Sequence, residues 1–311
     1  MASDHERVAD VAERPAAPTR PAGLPLRGWL GRAWRVLEYS SAYLALVGAA
    51  EVLIVTHLLS LSASLAPLVV AFVTFAVYAN DRLVDLESDG ASNPRRTAFV
   101  RRHRRTLYVL AALAYGAGAA LSVLGGPLAF GIALLPGGVW VAYAVDWIGL
   151  SAVRFDRLKE VPVVSSVLIA TAWSLAVVVL PIAFADGPIT PDVGVVFAYF
   201  VLATFVNAEV ANVRDVESDA ENGVETMATL LGVARTRAAL YAVALSAGMV
   251  LGVAAAGGLL GSFAAAALAL GIACLLAVVA LVGRADDAPL TVAAECTRLP
   301  AFAVLAVAGL L

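Results

Sequence analysis

What most constrains this chain is a recurrence. Runs of about 20 apolar residues, enough for a helix to cross a bilayer core of about 30 Å, follow one another from residue 41 to the C-terminus. Helices satisfy their own backbone hydrogen bonds in lipid, and the runs lack the alternation of barrel strands. The fold class is therefore an all-α polytopic membrane protein. Composition agrees: 61% of the 311 residues are hydrophobic and 14% charged, where soluble domains have roughly 45–50% and about 25%. Nine spans are predicted, at 41–60, 64–84, 106–124, 127–147, 161–184, 190–212, 236–256, 259–282 and 289–311, the last interrupted by Glu295 and Arg298. Residues 1–28 are rich in Pro, Ala and Arg without the apolar core of a signal peptide, and read as a disordered cytoplasmic tail. A single membrane domain, 29–311, follows.

The basic residues orient these spans. Lys and Arg concentrate in cytoplasmic connections. Here they fall before the first span and in, or within a few residues of, the second, fourth, sixth and eighth connections; the odd-numbered connections hold none. Only Arg298 stands apart. The N-terminus is thus expected in the cytoplasm. Cys274 and Cys296 lie in apolar stretches and read as small buried residues, and the three histidines are scattered, so neither type suggests a metal site.

Two acidic clusters nearly repeat each other, "DLESD" at 85–89 and "DVESD" at 215–219, each at the end of an apolar run. Four spans separate them, an even number, so both emerge on the same face. In the first, Asp81, Asp85 and Asp89 recur every four residues; in the second, Asn212, Asp215 and Asp219 are three and four apart. Each set lies on one side of a helix, where like charges repel. A cation resolves the repulsion, and hard oxygen ligands suit Mg²⁺, which also takes water and substrate phosphates. The bland alternative, a charged helix end in solvent, explains one such cluster better than two matching ones.

A phosphate-bearing substrate held by such a metal also needs protein cations. The chain has 20 arginines and a single lysine, Lys159, in the fourth connection; its compact ammonium suits a point contact to phosphate. Arg95 and Arg96 follow the first cluster and Arg214 precedes Asp215. The run "RRHRR" at 101–105 reads as a headgroup anchor. Glu51 and His57 in the first span, and Asn207 and Glu209 in the sixth, are polar groups at membrane depth. Such groups are functional candidates by default, with interhelical hydrogen bonding as the plainer role.

With these motifs in hand the sequence resembles the UbiA-type intramembrane prenyltransferases. "NVRDVESDAENGVETMATLLG" is similar to that family's second Asp-rich motif, with Arg214, Asp215, Glu217, Asp219, Gly223, Thr226 and Gly232 in register. "DRLVDLESD" followed by "NPRR" resembles the first, and "RLKEVPVVSSVLIATAW" the segment leading into helix five with its lysine. The amide and carboxylate at Asp81 and Asn212 are exchanged relative to the usual pattern, with Asn80 alongside. The first span also lacks the Arg-Pro common in quinone-pathway members, which weighs against 4-hydroxybenzoate or naphthoate as acceptor.

The resemblance implies a nine-helix bundle with a cytoplasm-facing active-site cavity. It implies a Mg²⁺-dependent transfer of a prenyl group from a polyprenyl diphosphate to a lipophilic or aromatic acceptor, as in quinone, isoprenoid-lipid or carotenoid synthesis. Asp81, Asp85, Asp89, Asn212, Asp215 and Asp219 would hold the metal, and Arg95, Arg96, Lys159 and Arg214 the diphosphate. Tyr143, Asn207, Glu209 and Asn80 would line the acceptor or carbocation pocket. Two other classes are weighed against this: a membrane terpene cyclase of the same fold, which needs no acceptor, and a cation transporter, which would place its charges nearer the bilayer midplane. No nucleic-acid partner is expected. Heavy Arg, Ala and Val usage points to a GC-rich genome and a prokaryotic cell membrane.

Overall fold

In a computed structural model, residues 25–84, 86, 93–144, 163–221, 223–285 and 287–309 are described, and every regular element among them is helical. The helices are α1 (Pro25–Tyr39), α2 (Ala42–Leu58), α3 (Ala66–Val84), α4 (Pro94–Arg102), α5 (Arg104–Ser122) and α6 (Gly126–Ala144). They continue with α7 (Val164–Ser174), α8 (Leu180–Ala185), α9 (Pro191–Arg214), α10 (Val216–Glu221) and α11 (Met227–Leu231). The last four are α12 (Val233–Ala256), α13 (Ser262–Leu281), α14 (Asp287–Glu295) and α15 (Leu299–Val307).

Among the described residues six helical segments are long and apolar enough to cross a membrane, or up to eight if each sharply bent pair forms one span. This differs from the nine predicted. One reason is that residues 104–138 meet the length and hydropathy test as one stretch of 35 residues. Yet Gly126, at φ 82°, leaves the helical region there, and α5 and α6 pack on each other. The bent pairs supply the other difference. α1 meets α2 at 82°, across Ser41 in a left-handed conformation, and α14 meets α15 at 45°.

Helix α9 is the axis of the bundle. More than half of its apolar window (56%) is buried, a larger share than in any other candidate span, and it packs against α7, α12 and α14. On one flank α2 packs on α3 and α3 on α5; on the other α12 packs on α13 and α13 on α15, which returns to α2 and closes the bundle. The α3–α5 crossing depends on Gly118: a Cβ there would lie 2.9 Å from Val73 Cγ2 and 3.5 Å from the Val69 carbonyl oxygen. Small residues let membrane helices approach this closely.

Proline shapes the segment between α7 and α8. Pro181 has no N–H to give to the carbonyl four residues back, and its ring crowds that carbonyl. The backbone relaxes into a π-helical turn over Leu175–Val179. Such turns inside helices widen the backbone locally and often border functional sites. This one borders the cavity described next.

Candidate functional site

A cavity of about 250 Å³ runs beside α3, between it and α6, α7 and the π-turn. Val70, Val73, Val77, Ile169 and Leu180 are among its apolar walls, and Thr74, Tyr78, Asp81 and Trp173 bring the polar atoms. Val69 and Asp81 both line it, so it follows α3 for 12 residues, ~18 Å at 1.5 Å per residue. The carboxylate of Asp81 stands near one end of an otherwise greasy channel. That carboxylate is 44% exposed, with Arg82 Nη1 at 3.7 Å.

Trp173 is held from behind. Its Nε1 donates to Glu51 Oε2 at 2.6 Å, and Glu51 Oε1 accepts from Arg298 Nε at 2.5 Å. Both charged side chains are buried, at 1% and 3% exposure. Arg298 Nη2 reaches Thr204 Oγ1 at 3.5 Å, and the guanidinium lies 5.5 Å from the centroid of the Phe200 ring. Gly48 leaves room for the indole: a Cβ there would lie 3.4 Å from Trp173 Cη2 and 3.0 Å from Val70 Cγ1.

The second acidic motif begins as α9 ends. Asp215 is the C-cap of α9 and accepts from Arg214 Nε at 2.8 Å and from Nη2 of the same guanidinium. The short α10 follows, with the Asp219 amide donating to the Asp215 carbonyl at 2.8 Å. Gly223, at φ 69°, turns the chain where a side chain would be strained. Thr226 and Thr229 then cap α11 reciprocally, each side chain accepting from the other's backbone N–H. The motif's Gly and Thr positions are therefore those of a turn and a cap that fix where the acidic residues stand.

The two motifs converge on a residue that interrupts the last predicted span. Glu295, at the end of α14, accepts from the Tyr43 hydroxyl of α2, and Arg82, Arg96 and Arg214 all lie within electrostatic reach of its carboxylate. Those arginines come from α3, α4 and α9, so the helix ends bearing Asp81 and Asp215 face a common region. Tyr43 packs in a small cluster with Tyr78, Val292 and Cys296, and Tyr78 also lines the cavity. Tyr43, Tyr78, Arg82, Trp173 and Glu295 thus join the site; their only signal in the sequence was polarity at membrane depth.

The other expected residues fall as follows. Arg96 is buried and Arg95 exposed on α4, whose first turn is capped by Asn93 Oδ1 accepting from the Arg96 amide at 3.2 Å. Asn212 Nδ2 donates to Ser166 Oγ at 3.2 Å. Glu209 is fully buried with the side chains of Ser166 and Asn212 beside its carboxylate, and Asn207 Oδ1 makes no hydrogen bond among the described residues. Asn80 lines a different, arginine-walled groove. Asp85, Asp89 and Lys159 lie outside the described residues, as does the side chain of Tyr143.

Among the described residues no three His, Cys, Asp or Glu side chains are grouped closely enough to hold a metal. The donor chemistry nonetheless fits a hard cation. Asp81 and Asp215 offer carboxylates 44% and 33% exposed, open to the waters and phosphate oxygens that complete a Mg²⁺ shell.

Residues 39–303 match the UbiA prenyltransferase family. A digeranylgeranylglyceryl phosphate synthase from Metallosphaera sedula is 29% identical over 173 residues, 55% of this chain; the match spans about half (56%) of that relative's length. Among solved structures, the apo form of a UbiA homologue from Aeropyrum pernix K1 is similar with a TM-score of 0.61 at 17% identity, covering 88% of this chain and 98% of that one. A UbiA homologue from Archaeoglobus fulgidus bound to DMAPP and Mg²⁺ gives 0.55 at 15% identity, covering 87% and 99%. At these identities the structural likeness is one of fold.

Proposed function

Because this chain belongs to the UbiA prenyltransferase family, we propose that it takes the prenyl group of a polyprenyl diphosphate at the end of the bundle where Asp81 and Asp215 emerge, and passes it to a lipophilic acceptor. One observation carries the reading. The cavity beside α3 is apolar along its length and carries Asp81 near one end, the shape and polarity of a molecule with a diphosphate head and a hydrocarbon tail. The Archaeoglobus homologue, bound to DMAPP and Mg²⁺, supports the same donor class and metal.

In this reading Asp81, Asp85, Asp89, Asn212, Asp215 and Asp219 hold Mg²⁺. The bound metal would neutralise charge on the leaving diphosphate, as cations do in phosphoryl chemistry. Arg96 and Arg214, with Arg95 and Lys159, bind the same oxygens and keep the head at the mouth of the cavity; such preorganised cations favour charge that develops as the allylic C–O bond breaks. The π-faces of Tyr78 and Tyr143 would stabilise the allylic cation. The valine walls exclude water, which would otherwise capture the cation. The acceptor's lone pair then forms the new bond to the allylic carbon, and its proton leaves to solvent or to a neighbouring base. Asn207 and Glu209 remain candidates for the acceptor side.

The similarity to the Metallosphaera enzyme, together with the missing Arg-Pro in the first span, favours an isoprenoid-lipid acceptor bearing a hydroxyl over an aromatic acid. The positive-inside pattern supports a cytoplasmic N-terminal tail, 1–28, and a cytoplasmic mouth for the site. The test is incubation of purified protein with labelled geranylgeranyl diphosphate and Mg²⁺, with and without a membrane-lipid extract, followed by mass analysis of the product. A labelled adduct formed only with extract supports transfer. A cyclised hydrocarbon formed without it would identify a terpene cyclase instead.

A further inference from the structure

A second depression, of about 670 Å³, lies on the other side of the α3 C-terminus from the cavity. Asn80, Leu83 and Val84 of α3 form one wall. The opposite wall is the corner between α4 and α5: Arg101 and Arg102 end α4, Arg104 and Arg105 begin α5, and Tyr108 follows one turn on. The corner is fixed at His103, whose Nδ1 bonds the Phe99 carbonyl at 2.9 Å and whose ring lies 4.4 Å from that of Phe99; Phe99 in turn packs on Tyr39 of α1.

The arrangement is unfavourable for the protein alone. All four guanidiniums are exposed, and none makes a hydrogen bond or ion pair among the described residues. Four like charges crowd five positions, and two of them occupy the first turn of α5, where the helix dipole already presents its positive end. A bound anion relieves both effects. Guanidiniums favour phosphate, which they grip through paired N–H donors.

The surroundings say what carries the phosphate. Arg104 and Arg105 lie four and three residues before Tyr108, so guanidiniums and ring share one helix face. Below them α5 is exposed and apolar: Tyr108 is 63% and Leu113 65% exposed, and across the groove Val84 is 61% exposed. The groove therefore passes from a cationic rim onto a lipid-facing helix surface. We propose that it binds one anionic membrane phospholipid, its phosphate among Arg101, Arg104 and Arg105, its glycerol oxygens against Asn80, and its acyl chains along α5. Basic pockets at the membrane face of helical bundles hold acidic headgroups in this way. The site is separate from the donor cavity and does not rest on the function proposed above.

The test is native mass spectrometry of the detergent-solubilised protein titrated with phosphatidylglycerol or phosphatidylcholine. Three proteins are compared: the wild type, the triple variant R101Q/R104Q/R105Q, and R32Q/R35Q/R284Q, which removes three exposed arginines elsewhere. Phosphatidylglycerol should bind the wild type and the control at least tenfold more tightly than the triple variant, with no such difference for phosphatidylcholine. A parallel titration with inorganic phosphate should leave the lipid bound. Equal retention of both lipids, undiminished phosphatidylglycerol binding by the triple variant, or its displacement by inorganic phosphate would each overturn the assignment.

Discussion

Replacing Arg298 with methionine removes one half of an ion pair that closes the bundle, because it joins α2 to the turn preceding α15. Both partners are almost fully buried, and Glu51 uses its second oxygen to accept from Trp173. Removing one partner of such a pair leaves an uncompensated buried charge, a loss of about 3–5 kcal/mol. Replacing both partners is often close to neutral, since neither charge then has to leave water. The double variant E51Q/R298M keeps an amide oxygen for the Trp173 N–H, which would otherwise be stranded at about 1–3 kcal/mol. At roughly 2 °C per kcal/mol for a large domain, R298M should lower the midpoint of thermal unfolding by ~6–10 °C, and the double variant should recover most of that. The assay is the fraction of monodisperse protein remaining after heating in detergent. If R298M and E51Q/R298M lose the same stability, the two residues are not an energetically coupled pair and the reasoning fails.

Three further outcomes are expected. Trp173→Ala should enlarge the cavity and raise kcat/KM for a longer prenyl diphosphate relative to a shorter one; an unchanged ratio, read from competition assays with geranyl and geranylgeranyl diphosphates, would mean the indole does not bound the tail. Gly118→Val should drive α3 and α5 apart, costing about 1–3 kcal/mol as overpacking does, measured by the same heating assay; a variant as stable as the wild type would deny that the crossing is close. Chelation of divalent cations should abolish diphosphate release and added Mg²⁺ should restore it, whereas release that persists in chelator would remove the metal from the account.

The sequence made the helices legible because lipid leaves few options: each predicted apolar run contains or overlaps a helix, with ends displaced by a few residues. The acidic motifs were legible because their spacing is local. What escaped were contacts between distant parts of the chain. Glu295 and Arg298 read as flaws in the last span, yet Glu295 bonds Tyr43, 252 residues away, and Arg298 bonds Glu51, 247 residues away. Neither spacing nor periodicity encodes such pairings; only a polar group at membrane depth hints that some partner exists. Asn80 and Asp81 show the converse. They are adjacent in sequence, but the 100° between successive helical residues turns one to the arginine groove and the other to the cavity beside α3. The π-turn before Pro181 was equally hidden, because a proline inside a span can be met by a kink, a break or a wider turn.

The central claim is that the two acidic motifs act on one diphosphate. It is tested most directly by Mg²⁺-dependent diphosphate release from a prenyl diphosphate in Asp85→Asn, Asp215→Asn and the double variant. Groups that act as a unit are strongly non-additive. Each single variant should therefore lose about as much activity as the double, falling by orders of magnitude. Release that survives in the double variant, or losses that simply multiply, would contradict a shared site.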